Sequence, residues 1–279
     1  MFEEMKIRYF VGLFIIFTFG LNWVIPVFDI PTNIRSIIRD FLEIEVMAVV
    51  FFGYYFFKQK TSINYVVHDQ DPKWRVTSLI GLVLIFNTFS ITTYWFYLFI
   101  QDSIFKLDPF MVNSLNESNV FLIILMITST VTSPIAEEFI FRGLLLNRLI
   151  KKTNKWGGIL ISSLLFAAVH LQAEKLIATF LFGIIASLIY LKTKNLFVPI
   201  LIHILHNSLA FIQTLVFPAW LDFLFFSTYS TDIHTNVVVK STFLVISFLL
   251  MIMVIVYLVK DLGSDKKKVE MLPQPEGLH

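Results

Sequence analysis

The sequence predicts an all-α integral membrane protein, with about eight transmembrane helices around an intramembrane polar cavity. Of its 279 residues, 57% are hydrophobic and only 15% are charged, whereas a soluble domain is about half apolar and about a quarter charged. The chain contains 31 phenylalanines. Apolar runs close to the roughly 20 residues that cross a bilayer recur along its length. Together these three observations indicate a polytopic membrane protein.

The apolar runs divide the chain into three parts. We expect the first three helices in residues 1–119, a core of four helices in 120–213, and the last helix with a disordered cytoplasmic tail in 214–279. The fifth and sixth helices are short and are joined by the tight turn HLQAEK. The eight predicted spans are 8–28, 41–57, 77–100, 120–147, 157–171, 175–192, 195–213 and 236–260.

The distribution of lysine and arginine along the chain predicts which side of the membrane each loop faces. They concentrate in 58–76, in 148–155, at Lys192 and Lys194, and in the tail, whereas 101–119 and 214–235 are poor in them. Only loop 29–40 departs from this alternation. Because cytoplasmic loops of membrane proteins carry the excess of basic residues, both termini are predicted to be cytoplasmic. The abundance of Phe, Ile, Lys and Asn is typical of an AT-rich genome and favours a bacterial plasma membrane.

Charge and cysteine content exclude several functions. The net charge is only +2, so no basic face for a nucleic acid is expected. The chain has no cysteine, which excludes disulfides, thiolate metal sites and a cysteine nucleophile.

Ionisable and amide side chains inside the predicted membrane helices are candidate functional residues, because burying them in lipid is costly. All of them fall in the predicted core. Glu43 and Glu45 lie at the start of an apolar run and are interpreted as interfacial. The candidates are Glu137, Glu138, Arg142, His170, His203, His206 and Asn207.

Helical spacing assigns partners to the two adjacent glutamates. Glu138 and Arg142 are four residues apart and can form an ion pair on one helix. Glu137 points about 100° away, so its partner must come from another helix or from water. If the fourth and fifth helices form a hairpin about residue 153 or 154, Glu137 and His170 lie at the same depth.

The same rule groups the remaining candidates. His203 and Asn207 share one face of the seventh helix, and Phe166 shares a face with His170. His206 lies off the face of His203 and is interpreted as supporting or incidental.

Two hydrolytic mechanisms fit these residue types. A glutamate can take a proton from water, while histidine and asparagine can donate hydrogen bonds to an oxyanion. Alternatively, Glu137, His170 and His203 match a catalytic Zn²⁺ site with an open position. The HExxH motif of helix-borne zinc proteases is absent. Both mechanisms predict hydrolysis of an amide or ester by activated water.

Three motifs together resemble one family. EEFIFR contains the pattern EExxxR, FAAVH contains FxxxH, and HILHN contains HxxxN. In this order, over roughly residues 120–213, they resemble the CPBP family of CAAX proteases and bacteriocin-processing proteins, also called the Abi family. The resemblance implies an intramembrane endopeptidase whose cavity opens to the cytosol and whose substrate is a peptide or a membrane-anchored protein.

The resemblance also implies roles for the motif residues. Glu137 would activate water and His170 would help to position it. His203 and Asn207 would stabilise the oxyanion, while Glu138 and Arg142 would shape the site. Two alternatives remain: a non-catalytic scaffold or bacteriocin self-immunity protein of the same fold, and a proton-relaying transporter. The transporter is disfavoured because the polar groups cluster in one part of the chain, without a repeated pair of broken helices.

Overall fold

The computed structural model describes residues 76–105, 123, 126–170, 172–213 and 237–270, together with residue 12. Helices form the regular architecture of these residues, which confirms the all-α prediction. Three helices, Thr77–Ile104, Ala173–Thr193 and Val237–Lys260, are long and apolar enough to cross a membrane. Apart from residue 12, the predicted spans 8–28 and 41–57 lie outside the described residues, so the total of eight stays a prediction.

Six helices make up the described part, and we number them in chain order. Helix α2 is a continuous helix over 128–152 that alternates π- and α-helical segments: Thr128–Thr132, Ser133–Glu138, Phe139–Leu146 and Asn147–Lys152. The other helices are α1 (Val76–Ile100), α3 (Lys155–Val169), α4 (Leu176–Thr193), α5 (Phe197–Phe211) and α6 (Val237–Glu270).

The alternation within α2 surrounds the two adjacent glutamates. Pro134 lies in the first turn of the short α-helical segment, and proline cannot donate the backbone hydrogen bond that continues a helix. The segment ends at Glu138, and π-helical hydrogen bonding resumes at Phe139. Segments of π-helix often mark functional sites, and here the two carboxylates lie at a junction between α- and π-helix.

A tight turn joins α2 to α3, as the sequence predicted. The carboxamide oxygen of Asn154 accepts a hydrogen bond of 2.8 Å from the amide of Gly157 and caps α3. Close approach of the helices beyond the turn requires Gly158, because a Cβ there would lie 2.8 Å from the backbone nitrogen of Ile150. The hairpin therefore turns at residues 153–154.

A second tight turn reverses the chain between α4 and α5. Lys194 adopts the left-handed conformation with φ 53° and donates its amide to the carbonyl of Tyr190 at 2.8 Å. The side chain of Asn195 then accepts from the amide of Phe197 at 2.8 Å. This turn sends α5 back beside α4 and the charged part of α2.

The described bundle has a buried core and an apolar exterior. The core includes Phe86 and Phe89 of α1, Leu145 of α2, Phe166 of α3 and Leu188 of α4. Helix α6 leaves most of its apolar side chains uncovered, for example Val238 at 79% and Met253 at 66% exposed, as expected of a lipid-facing helix.

The C-terminal end of helix α6 extends into the segment predicted to be a disordered tail. The helix continues to Glu270, so residues 264–270 of the segment predicted as disordered are helical, and 271–279 lie outside the described residues.

Candidate active site

The ion pair predicted within α2 is present and fully buried. Nη1 of Arg142 donates to Oε1 of Glu138 at 2.9 Å, and the two side chains are 1% and 0% exposed. A buried charge is costly unless it is paired and hydrogen-bonded. The pair explains how two of the three charges of this helix are tolerated.

A contact between helices extends this pair. Nδ1 of His203, on α5, lies 2.9 Å from the same Oε1 of Glu138. One carboxylate oxygen therefore accepts hydrogen bonds from the guanidinium and from the imidazole. The sequence predicted that Glu138 would shape the site, but helical spacing could not connect it to His203.

The guanidinium of Arg142 is held from two further directions. Its carbon lies 4.4 Å from the centre of the Phe166 ring and 5.7 Å from that of Phe182, which are cation–π distances. Nη2 donates to the backbone carbonyl of Gly183 at 3.4 Å. Arg142 thus joins α2, α3 and α4 beneath the two glutamates.

Glu137 has different surroundings from Glu138. Its Oε2 lies 3.8 Å from Nε2 of His170 and 3.8 Å from Nε2 of His203, beyond the range of a direct hydrogen bond. Oε2 is buried and has no hydrogen-bond partner among the residues that the structure describes. The structure therefore brings the glutamate without a partner on its own helix to the two histidines, on α3 and α5.

The hydrogen bonds fix which ring nitrogens carry protons. Nδ1 of His170 lies 2.8 Å from the carbonyl oxygen of Phe166, and a carbonyl can only accept. Nδ1 of His203 faces a carboxylate oxygen that also receives Arg142. Both Nδ1 atoms are therefore donors. Each Nε2 then offers a lone pair towards Glu137 when its ring is neutral, and an N–H when its ring is charged.

The last two candidates lie beside this group. Asn207 donates from Nδ2 to the carbonyl of Ser129 at 2.9 Å, which ties α5 to the start of α2. The ring of His206 packs 4.5 Å from that of Phe86 and 6.3 Å from that of Phe182, and its Nδ1 has no hydrogen-bond partner.

Comparison with known proteins identifies this region. The family model "Type II CAAX prenyl endopeptidase Rce1-like" matches residues 119–209, the part of the chain that contains all these side chains. For this segment, the match confirms the resemblance to the CPBP family that the three motifs indicated. No solved structure matches the chain.

Curated bacterial proteins are similar over the same share of the chain. The "Putative membrane peptidase YdiL" of Bacillus subtilis is 35% identical over 92 residues, 33% of this chain and 38% of the relative. The "Membrane-embedded CAAX protease MroQ" of Staphylococcus aureus is 36% identical over 95 residues, 32% of this chain and 38% of the relative. The matches thus span about two fifths of the length of these relatives.

The matched segment contains two contacts of the candidate site that sequence reasoning missed. Phe182 packs 4.6 Å from the ring of His203, and the carbonyl of Gly183 receives Arg142. Phe182 looks like any other apolar residue of α4, and a backbone carbonyl leaves no trace in a sequence. The pair Phe182–Gly183 therefore became visible only when α4 was packed against α2 and α5.

The zinc alternative requires three donor atoms arranged around one point. Among the described residues, no group of three or more His, Asp or Glu side chains is placed to hold a metal ion. Donors in a tetrahedral zinc site lie about 3.3 Å apart, given bonds of about 2.0 Å, whereas Oε2 of Glu137 lies 3.8 Å from each imidazole Nε2. The three donors do not fit zinc as arranged, so no metal enters the mechanism below.

Proposed function

We propose that this protein is an intramembrane endopeptidase in which Glu137 activates water for attack on a peptide bond. The observation that carries the proposal is the buried Oε2 of Glu137, which lacks a hydrogen-bond partner and faces Nε2 of His170 and of His203 at 3.8 Å each. A general base must be within hydrogen-bond reach of the proton that it takes. Oε2 is the carboxylate oxygen left for a water molecule to donate to.

The proton transfers of the proposed hydrolysis balance. Glu137 takes one proton from the attacking water while the new C–O bond forms at the substrate carbonyl carbon. The C–N bond then breaks, and the departing amine takes that proton, directly or through Nε2 of His170. The side chain of His170 is 23% exposed, against 5% for Glu137, so His170 is the less buried member of the pair. No proton is gained or lost over the cycle.

His203 is suited to the oxyanion that forms at the same step. Its Nδ1–H is committed to Glu138, so Nε2 donates a hydrogen bond only when the ring is an imidazolium. Asn207, on the same face of α5, would be the second donor. Donors fixed in advance around developing charge supply a large part of catalysis in such sites.

The substrate class follows from the setting of the site. The site lies among apolar helices, three of which are long enough to cross a membrane, so we propose a peptide or a membrane-anchored protein in contact with lipid. The printed names of the Bacillus and Staphylococcus relatives, a membrane peptidase and a CAAX protease, support this assignment. A bacterial plasma membrane with both termini cytoplasmic remains the proposed location.

Replacement of Glu137 by glutamine tests the proposal. Glu137→Gln keeps the shape of the side chain and removes the base, so we expect activity to fall about 10²- to 10⁴-fold while the protein inserts and folds normally. Peptides from cells carrying either form are compared by mass spectrometry to find those that accumulate in the variant. Glu174→Gln, on the turn between α3 and α4, is the matched control and should leave the peptide profile unchanged.

Two outcomes would redirect the assignment. If Glu137→Gln supports the cellular phenotype as well as the parent, the peptidase proposal fails and the scaffold or immunity alternative takes its place. If a chelator abolishes activity of the purified protein and Zn²⁺ restores it, the water is activated by a metal and not by Glu137 alone.

A further inference from the structure

We propose that Gly183 is a positioning residue for the reaction, acting through Arg142, Glu138 and His203. The inference rests on the proposed peptidase function and adds a part of α4 to the site. The backbone carbonyl of Gly183 accepts hydrogen bonds from Nη2 of Arg142 at 3.4 Å and from Oγ of Ser187 at 2.7 Å. Beside the Phe182 ring, it is the contact by which α4 holds the guanidinium.

The absence of a side chain at position 183 allows this contact. A Cβ built there would lie 2.8 Å from Cβ and 2.9 Å from Cα of Ser163 on α3. Ser163 is fully buried and bonded to its own helix, from Oγ to the carbonyl of Ile159 at 2.7 Å, so it has no room to turn away. Helices α3 and α4 approach this closely only because residue 183 is glycine.

The clash distance gives the movement of α4 that an alanine at position 183 requires. Ordinary contact begins at 3.4 Å, so an alanine must move α4 away from α3 by about 0.6 Å. The hydrogen bond from Arg142 is already 3.4 Å long, and a donor–acceptor distance of about 3.6 Å no longer counts as one. We therefore expect the alanine to lengthen and break the hydrogen bond from Nη2 of Arg142.

A shift of Arg142 is transmitted to the reacting groups through one atom, Oε1 of Glu138. Oε1 of Glu138 accepts from Arg142 and from His203, at 2.9 Å in each case. A guanidinium that shifts moves this oxygen, and with it the imidazole that would bind the oxyanion. A misplacement of about 1 Å in such a site can cost about 100-fold in rate. We expect Gly183→Ala to lower kcat at least about tenfold with little change in KM.

Gly158 provides the matched control. A Cβ at Gly158 would lie 2.8 Å from the backbone nitrogen of Ile150, so Gly158→Ala introduces a comparable clash between α2 and α3, beside their turn. It touches none of Arg142, Glu138 and His203. It should lower the melting temperature and leave kcat per folded molecule unchanged.

The test is a double-mutant cycle on the full-length protein in detergent micelles, with the peptide that accumulates in Glu137→Gln cells as substrate. Arg142→Lys keeps the positive charge and removes the Nη2 donor. If Gly183 acts through Arg142, the loss from Gly183→Ala disappears in the Arg142→Lys background, whereas the effect of Gly158→Ala on stability is additive. Additive effects of Gly183→Ala and Arg142→Lys on kcat would overturn the proposal.

A second measurement does not depend on activity. In protein labelled with ¹⁵N-histidine, the Nδ1–H resonance of His203, assigned by its loss in His203→Gln, should shift in Gly183→Ala and not in Gly158→Ala. An unchanged resonance in Gly183→Ala overturns the positioning role. If the resonance shifts while Glu137→Gln is as active as the parent, the positioning contact stands and the peptidase function fails.

Discussion

The two adjacent glutamates of α2 define two regions of the site with opposite character. Around Glu138, hydrogen bonds of 2.9 Å join Arg142 and His203 to one carboxylate oxygen, and the three side chains are almost completely buried. Around Glu137, the nearest imidazole nitrogens are 3.8 Å away and His170 is partly exposed. The bonded region fixes geometry, whereas in the open region Oε2 of Glu137 and the two Nε2 atoms form no direct hydrogen bond with one another. Neighbouring residues of one type thus acquire different roles from their surroundings.

The largest effect is expected from breaking the bonded region. Arg142→Leu leaves Glu138 buried without its cation, and removal of one partner of a buried ion pair costs about 3–5 kcal/mol. Thermal unfolding should show a strongly destabilised protein with no activity. Lys151→Leu, at an exposed position of the same helix, is the control and should unfold like the parent. Equal stability of the Arg142 variant would mean that the pair is not structural.

The open region should respond in the opposite way. His170→Gln removes the proton partner of Glu137 and the contact to Phe166, and we expect kcat to fall about 10³-fold, within the range of acid–base catalysis. Stability should change little, because the side chain is partly exposed. Measurement of kcat beside the melting temperature separates the two effects. A variant that unfolds early while its folded fraction keeps full activity would contradict the comparison.

Asn207 tests whether the oxyanion donors extend beyond His203. Loss of one such donor costs about 10²-fold or more in kcat, whereas loss of its hydrogen bond to the carbonyl of Ser129 costs about 1 kcal/mol of stability. Asn207→Ala should show both effects. A loss of stability with unchanged kcat would confine Asn207 to tying α5 to α2.

The smallest effect is expected at His206. His206→Phe preserves the ring contacts with Phe86 and Phe182 and removes a buried Nδ1 that has no hydrogen-bond partner. Such an atom costs about 1–3 kcal/mol when buried, so the melting temperature should stay the same or rise, and kcat should change by less than about twofold. A large loss of kcat would place His206 in the site, against the interpretation of the sequence.

Contacts set by local periodicity were accessible from the sequence. The Glu138–Arg142 pair follows from spacing along one helix. The depth of His170, level with Glu137, follows from a hairpin whose turn carries recognisable polar residues. The bond from His203 to Glu138 joins residues 65 positions apart, and no periodicity relates them. The sequence grouped His203 with Glu137 by residue type and by the resemblance to a family, without predicting the contact between His203 and Glu138.

By itself the sequence determined that the chain consists largely of apolar helices and that one ion pair neutralises two charges of α2. It also determined that Glu137 needs a partner from another helix or from water. These conclusions depend only on composition and on the 3.6-residue repeat. The tertiary structure decided which atoms meet across helices: one carboxylate oxygen shared by Arg142 and His203, a glycine carbonyl that holds the guanidinium, and Oε2 of Glu137 equally far from two imidazoles. Such contacts depend on how closely helices approach, and that distance is set by packing.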